Sequence, residues 1–593
     1  FLSEDAPDAT FAIDLGRLDA RAYDHLAVRL RGDAGSGFNP ALKVGFRRPK
    51  PGGRGLFEDG SEVVTGVGAD WRRVLVPLNR LTGVTDWSDV GAFFVALESR
   101  RASVRRGGYF LDDVALVRTG KRGPSIRDRV VPARKQAWLR SLGGEQAAQP
   151  KLRERLAGWP RRLLAEKRDL PADPRAFLLR VARDTWRGLD SLTDREHGLP
   201  VDNVILDRTS LAPRDARIGD YTNVTSIGLH LIAVVAAREL GLVSAPEARH
   251  RLEKSLATLE RLERYDGFFY NYYDTTTLER TSNFVSFVDS SWLTAALIVV
   301  RRSVPELGDR ATRLIDAGNY AFFYDPVAQQ MSQGYYVNVP TWSEYHYGTL
   351  YTEARLGSVI AIGKGDVPEE HWFRLWRTFP PDARWQTQPP KGRAPKVADG
   401  HRYRGGWYEW KGVRYVPSWG GSMFEALMPT LVLDERRFAP RSLGANDEAH
   451  ATIQARYATE QLGSSFWGFS PAAVPGGDGY GEYGVPVLGA LGYPAAAVTP
   501  HAAALALAIM PEAAVANLDG LARRYDVYGD FGFYDAVDPR SGAVAYRYLA
   551  LDQAMILISI ANHLKDGVVQ KRFASDPIVA RALPLFAKED FFR

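Results

Sequence analysis

The sequence predicts a mainly α fold, an (α/α)6 toroid preceded by an antiparallel, jelly-roll-like β-sandwich, and three observations carry that prediction. Residues 1–119 alternate apolar and polar side chains in short runs broken by turn residues. From residue 171 onward the apolar spacing is helical, in twelve segments. Those segments divide into ones apolar nearly all round and ones charged along one side, as inner and outer layers require. The length, 593 residues with 45% apolar, is too great for one ordinary core and too apolar for disorder.

In chain order, strands are expected at Phe11–Asp14, Leu26–Leu30, Lys43–Phe46, Arg73–Val76, Phe93–Leu97, Tyr109–Leu111 and Val114–Val117, with turns at Gly32–Asn39 and Pro49–Gly55. Residues 120–170 turn basic and helical, from Lys121 through Lys135 to Arg168, and are expected to form a solvated linker. Helices are then expected near 173–190, 223–240, 245–262, 287–303, 308–323, 345–362, 368–378, 419–434, 446–463, 499–510, 511–525 and 548–565. Ile227–Ala237, Ser291–Val300 and Ala502–Met510 are apolar all round and belong inside; Glu247–Arg264, with its paired charges, belongs outside. Twelve helices alternating in this way make the toroid of residues 171–593.

Composition removes several classes of function. Lys plus Arg number 76 against 70 for Asp plus Glu, and the charges are mixed along the chain, so no nucleic-acid partner is expected. The longest apolar stretches fall well short of the roughly 18–20 residues that span a membrane. The absence of cysteine removes disulfides, thiolate metal sites and cysteine nucleophiles together. A start at Phe1 without an apolar leader fits a processed chain, which leads us to expect a periplasmic or secreted protein. The 14 Trp, 26 Tyr and 27 Phe often sit in polar, Gly-rich settings, where flat sugar rings can stack.

The unusual residues fall in loops before the inner helices. Tyr265–Asp274 and Phe287–Trp292 supply Tyr270, Tyr272, Asp274, Asp289 and Trp292, a mixture of ring faces and carboxylates suited to a saccharide subsite. Asp289 or Ser290 would also serve as a helix cap. The run Tyr335–Leu356 supplies Trp342, Glu344, Tyr351 and Glu353; a carboxylic acid buried among aromatics is suited to protonating a glycosidic oxygen, or is a structural carboxylate paired with an arginine. Ser418–Met428 places Trp419 and Glu425 in a small, apolar stretch where a carboxylate needs a purpose or a partner. Trp467, Tyr480 and Glu482 lie in Gly-rich aromatic loops that lack the Walker lysine. Nucleophile elbows and zinc-protease motifs are absent, so no metal and no cofactor are expected.

Together these runs are recognisable. Tyr221-Thr-Asn-Val-Thr-Ser, Phe269-Tyr-Asn-Tyr-Tyr-Asp274, Val288-Asp-Ser-Ser-Trp292, Glu353-Ala-Arg-Leu356, Ser418-Trp-Gly-Gly-Ser-Met-Phe-Glu425, Asn446-Asp-Glu-Ala-His450, Trp467-Gly-Phe-Ser470 and Phe531-Gly-Phe-Tyr-Asp535 occur in order across about 170–570. As a set they resemble the glucoamylase-like domain of bacterial β-1,2-glucanases and of cyclic β-1,2-glucan synthases. The resemblance implies an (α/α)6 toroid hydrolysing, or transglycosylating, a β-glucan, with a polysaccharide or oligosaccharide as the partner. It further implies that Glu353 is the acid/base, that Glu425 is the nucleophile, and that Asp274 and Asp289 face the substrate. Gly108–Val117 resembles the last strands of carbohydrate-binding jelly rolls, although no exposed aromatic platform is evident there.

Overall fold

A computed structural model describes the chain apart from residues 1–7, 50–56, 85, 99–103, 105, 122, 161, 163, 207–211, 344, 380–385, 387 and 393–394. The expected turn at Pro49–Gly55 lies largely outside the described residues. Two compact units form: one of residues 1–129 with 324–330 and 335–343, and one of residues 130–323, 331–334 and 344–593.

Within residues 1–129 of the first unit there are seven described strands, β1 (Asp8–Leu18), β2 (His25–Gly32), β3 (Ala41–Pro49), β4 (Phe57–Thr65), β5 (Arg72–Pro77), β6 (Val90–Glu98) and β7 (Tyr109–Val117). They pair antiparallel in two sheets, β1-β6-β3-β4 and β5-β2-β7. One face of each sheet contributes to a common core, Val28, Leu30 and Val76 from one and Val44, Phe46, Phe93 and Val95 from the other. The alternation of side chains along a strand produces this directly, since every second residue of each run is apolar.

Two features depart from the sequence expectation. Strand β4 was not anticipated, because Phe57-Glu-Asp-Gly-Ser-Glu lacks an apolar face; it forms because β3 offers it a complete register, Ala41 against Thr65 through Pro49 against Phe57. The runs at 109–111 and 114–117 are one strand. Asp113 takes φ 48°, and the register against β2 shifts there, so the Asp pair is a bulge inside β7 and not a turn. Arg29 lies 3.3 Å from the Asp113 carboxylate at the exposed surface of that bulge.

The second unit is mainly helical. Within 130–170 the helices Ala133–Leu142 and Glu145–Arg155 form, but they are not a solvated linker throughout: Lys135 is buried and pairs with Asp220 and with Asp274, the latter at 2.9 Å. Six further helices pack each against the next: Val224–Glu239 on Phe287–Ser303, that on Arg355–Lys364, Met423–Leu427 on Pro500–Leu505, that on Ala550–Leu564, and that back on Val224–Glu239. Arg355 supplies the remaining link by hydrogen bonding to the Glu425 and Ala426 carbonyls. Against these pack Pro174–Ser191, Ala245–Leu259, Gly308–Asp316, Pro577–Ala582, Leu443–Leu462 and Pro511–Arg524.

Glycine permits the closest of these approaches. A Cβ at Gly228 would lie 3.0 Å from the Trp292 carbonyl, and one at Gly357 would lie 2.5 Å from the Phe287 ring and collide with Ser291. The expected helix at 345–362 begins only at Arg355, because Thr349 bridges to Trp376 and Leu350 donates to the Trp376 carbonyl, which holds the preceding residues extended.

Candidate active site

Local capping fixes where three of these helices start and therefore which side chains stand at their first turns. Asn223 accepts from Thr225 N at 2.7 Å, Ser286 from Asp289 N at 3.3 Å and Ser422 from Glu425 N at 3.2 Å. Asp289 and Glu425 thus occupy the first turns of their helices, where the helix dipole favours a carboxylate. The cap of the 287–303 helix is Ser286, which leaves Asp289 free for another use.

Glu353 sits in the turn just before the Arg355–Lys364 helix. Arg355 does not neutralise it. The buried guanidinium binds both oxygens of Glu435 at 2.8 Å and donates to the carbonyls of Thr352 (3.0 Å), Glu425 (3.1 Å) and Ala426 (2.6 Å). One side chain therefore ties the turn carrying Glu353 to the helix carrying Glu425. Tyr351 and Asp447 buttress it: the Tyr351 hydroxyl donates to Asp447 at 2.6 Å, and its ring lies 4.6 Å from the guanidinium.

The electrostatics of the two glutamates differ. Burial first, and then the neighbouring Glu425 charge, push the Glu353 carboxyl up to about 7, with Asp289 adding to the effect. Burial also raises Glu425, but five donors oppose it: Ser418 Oγ, the backbone N–H groups of Trp419, Gly420 and Ser422, and Ser422 Oγ at 2.7 Å. Gly421 takes φ 77° to turn that loop around the carboxylate. The pair thus comprises one acid that holds its proton near neutrality and one carboxylate surrounded by donors that stabilise its charge.

Other groups join them. Burial raises Asp289, which accepts a hydrogen bond from the Thr225 hydroxyl at 2.6 Å. The Tyr347 hydroxyl is held well above its ordinary value by burial and by Glu353 and Asp289; Tyr493 is raised by burial and by Glu425, Glu482 and Glu353. Tyr272 feels burial, Asp202 and Asp289, and its ring meets Tyr221 edge-on at 6.0 Å. The Tyr480 hydroxyl feels burial, Asp552, Asp535, Tyr272 and Asp202, although the outer part of this residue is exposed. Trp419, 37% exposed, leads the loop that holds Glu425.

Of the residues singled out in the sequence, Glu353, Glu425, Asp289, Tyr272, Trp419, Tyr480 and Glu482 come into this one neighbourhood. The others that are described have surroundings of their own. Asp274 accepts from Thr276 N, Thr277 N and the Thr277 hydroxyl on one oxygen and pairs with Lys135 through the other, so one oxygen is used within its own turn and the other by a distant lysine. Tyr270 lies under the Arg280 guanidinium at 4.4 Å, Trp292 and Tyr351 are fully buried, and Trp467 is clamped by Asn517, which donates to its carbonyl at 2.8 Å. Trp342 belongs to the first unit and stacks edge-on with Tyr335 at 5.0 Å. Glu344 lies outside the described residues. Sequence reasoning passed over Asp202, Thr225, Tyr347 and Tyr493. Tyr347 stood inside a run already marked as unusual and Thr225 inside the run Tyr221–Ser226 that carries the family resemblance; Asp202 and Tyr493 had no local signal.

Comparison with known proteins shows what the chain is similar to. A family model described as putative glucoamylase matches residues 345–577, and one described as a protein of unknown function, DUF3131, matches residues 180–325. The cyclic β-(1,2)-glucan synthase NdvB of Rhizobium meliloti (strain 1021) is 25% identical over 553 residues, covering 68% of this chain and 18% of that protein. An exo β-1,2-glucooligosaccharide sophorohydrolase (non-reducing end) of Parabacteroides distasonis is 23% identical over 391 residues, covering 60% of this chain and 52% of its own length. The chain thus spans less than a fifth of the first relative and about half of the second. Among solved structures, the endo-β-1,2-glucanase from Chitinophaga pinensis, in complex with sophorotriose and glucose, superposes with TM-score 0.56 at 18% identity, over 70% of this chain and 98% of that one. Over its helical unit the chain is therefore similar to the glucoamylase-like family of bacterial β-1,2-glucanases and cyclic β-1,2-glucan synthases.

Proposed function

We propose that this chain is a glycoside hydrolase that cleaves a β-1,2-linked bacterial glucan, with Glu353 as the general acid and Glu425 as the second carboxylate. The observation that carries the proposal is the Glu353 carboxyl, held at about 7 by burial and by Glu425 beside it. Such an acid is still largely protonated where a glycosidic oxygen must be protonated, while the donors around its partner oppose the upward push of burial on that carboxyl. The linkage rests on the names of the relatives, which act on or build β-1,2-linked glucose.

In this reading the 171–593 region is an (α/α)6 toroid, supported by the order in which the inner helices pack, and 1–119 is a carbohydrate-binding-like sandwich followed by the 120–170 linker. A polymeric glucan outside the cytoplasm suits a periplasmic or secreted enzyme, and among the described residues no helix is long and apolar enough to cross a membrane. Glu353 protonates the leaving oxygen as the bond to the anomeric carbon lengthens. Positive charge building at that carbon is stabilised by Glu425, and Asp289 with Thr225, and the Tyr272 and Tyr480 hydroxyls, hold sugar hydroxyls on the facing wall.

The test is incubation with linear β-1,2-glucan and a panel of other glucans, following product size and anomeric configuration by NMR. New reducing ends from the β-1,2-linked polymer support the proposal, and none over long incubation with intact binding would reduce the chain to a binding protein. Retention assigns Glu425 as nucleophile, and inversion assigns it to activating water. Similarity to a cyclic synthase favours transglycosylation as a second reading, which longer or cyclic products would establish.

A further inference from the structure

We propose that His501, Asp535 and Asp552 form a binding site for one divalent transition-metal ion, with Zn2+ the best match, in the wall behind Tyr480. The three side chains come from different segments: His501 from the first turn of the Pro500–Leu505 helix, Asp552 from the first turn of Ala550–Leu564, and Asp535 from the loop after Gly532–Phe533. They are 1%, 2% and 2% exposed. One nitrogen or oxygen from each lies within 4.8 Å of the others, a spacing that one ion at ordinary ligand distances would bridge.

Among the described residues, no N–H or O–H of another residue reaches the atoms facing this space, His501 Nδ1, Asp535 Oδ1 and Asp552 Oδ2, although the two carboxyls stand close enough to hydrogen bond to each other when one is protonated. Two of their other atoms have contacts of their own. Asp535 Oδ2 accepts from Ala473 N at 2.6 Å, and the Thr499 hydroxyl lies 3.5 Å from His501 Nε2. A proton on Nε2, directed at Thr499, leaves Nδ1 with its lone pair turned toward Asp552, and Nδ1 and Asp552 Oδ2 face each other at 3.5 Å without a hydrogen bond. Lone pairs of a neutral imidazole and two carboxylates converging in a dry interior repel one another, and a buried polar group without a partner is costly.

A single divalent cation resolves all three at once. It meets each lone pair, and its two positive charges cancel the two carboxylates, so the buried site becomes neutral. A shared proton between the two carboxylates would satisfy one oxygen and leave the imidazole nitrogen unmet. One imidazole with two carboxylates is a mixed nitrogen and oxygen set, which suits Zn2+ and Mn2+ better than the all-oxygen preference of Ca2+ or Mg2+. The site would pin three segments behind the Tyr480 hydroxyl, which lies in the field of Asp552 and Asp535.

The full chain, freed of any tag and dialysed against EDTA and then metal-free buffer, is titrated with ZnSO4 by calorimetry, with a thermal melt at each end point. Binding of about one equivalent and a raised melting temperature that EDTA reverses are expected. In His501→Gln and Asp535→Asn the affinity should fall at least ~10-fold and the melting response to Zn2+ should vanish. Absence of both heat and melting response in the wild-type chain overturns the proposal, as does Zn2+ binding that is unchanged in both variants. The EDTA response of the wild-type chain decides the matter even if a variant fails to fold.

Discussion

Replacing Glu353 by Gln keeps the shape of the side chain and removes its proton, and the structure sets the size of two separate consequences. The first is catalytic. General acid assistance contributes roughly 10²–10⁴-fold, so turnover of a glucan should fall by about that factor while KM changes little. An aryl glycoside with a dinitrophenolate leaving group needs no protonation and should lose far less. The second consequence is on stability. In the folded chain Glu353 moves from an ordinary 4.5 to about 7, which is about 3 kcal/mol in favour of the neutral form. Between those values the folded state binds more protons than the unfolded one, so this contribution is present below about pH 4.5 and is lost as pH rises through about 7. Gln carries no such penalty. Melting temperatures of the variant and the wild type should therefore agree near pH 5, and the variant should melt higher at pH 8. Near-normal turnover, equal losses on glucan and aryl glycoside, or a variant that melts lower at both pH values would refute the reasoning.

Other expectations follow from the same geometry. In the wild type, activity should decline above about pH 7 as Glu353 ionises, and Glu425→Gln, besides slowing turnover, should move the residual activity's decline to lower pH because the Glu425 charge is the second cause of the Glu353 displacement; a pH–rate profile checks both. Arg355→Lys should cost about 3–5 kcal/mol, since a lysine cannot satisfy both Glu435 oxygens and three carbonyls, and its melting temperature should drop well below that of the wild type. Trp419→Ala should raise KM for oligosaccharides with little effect on melting, whereas Trp292→Phe, deep in the helix packing, should lower the melting temperature and leave KM near normal.

What could be read from the sequence was what local chemistry determines. Apolar periodicity placed the helices at 174–191, 224–239, 287–303, 511–524 and 550–564 within one or two residues, because each carries a cap or an unbroken apolar face. It extended the 355–364 helix ten residues too early, where pairing with Trp376 overrides propensity. Glu353 and Glu425 stood out as carboxylates in aromatic or apolar runs, and both lie in the candidate site. Asp274 stood out for the same reason but is consumed by Lys135, a residue far away in the chain that burial brings against it. Aromatic residues misled most, since Trp292 and Trp467 are needed for packing and nothing local distinguishes a packed ring from a ring that faces a ligand. Thr225, Tyr493 and Asp202, and likewise the His501, Asp535 and Asp552 group, are assembled only by the fold.

The most direct measurement pairs the wild-type chain with Glu353→Gln on linear β-1,2-glucan, counting reducing ends over time with β-1,3- and β-1,4-glucans alongside. The account predicts steady release from the β-1,2-linked polymer, none from the other two, and a loss of about two orders of magnitude or more in the variant. Release that is indifferent to the Glu353 substitution, or confined to another linkage, would contradict it.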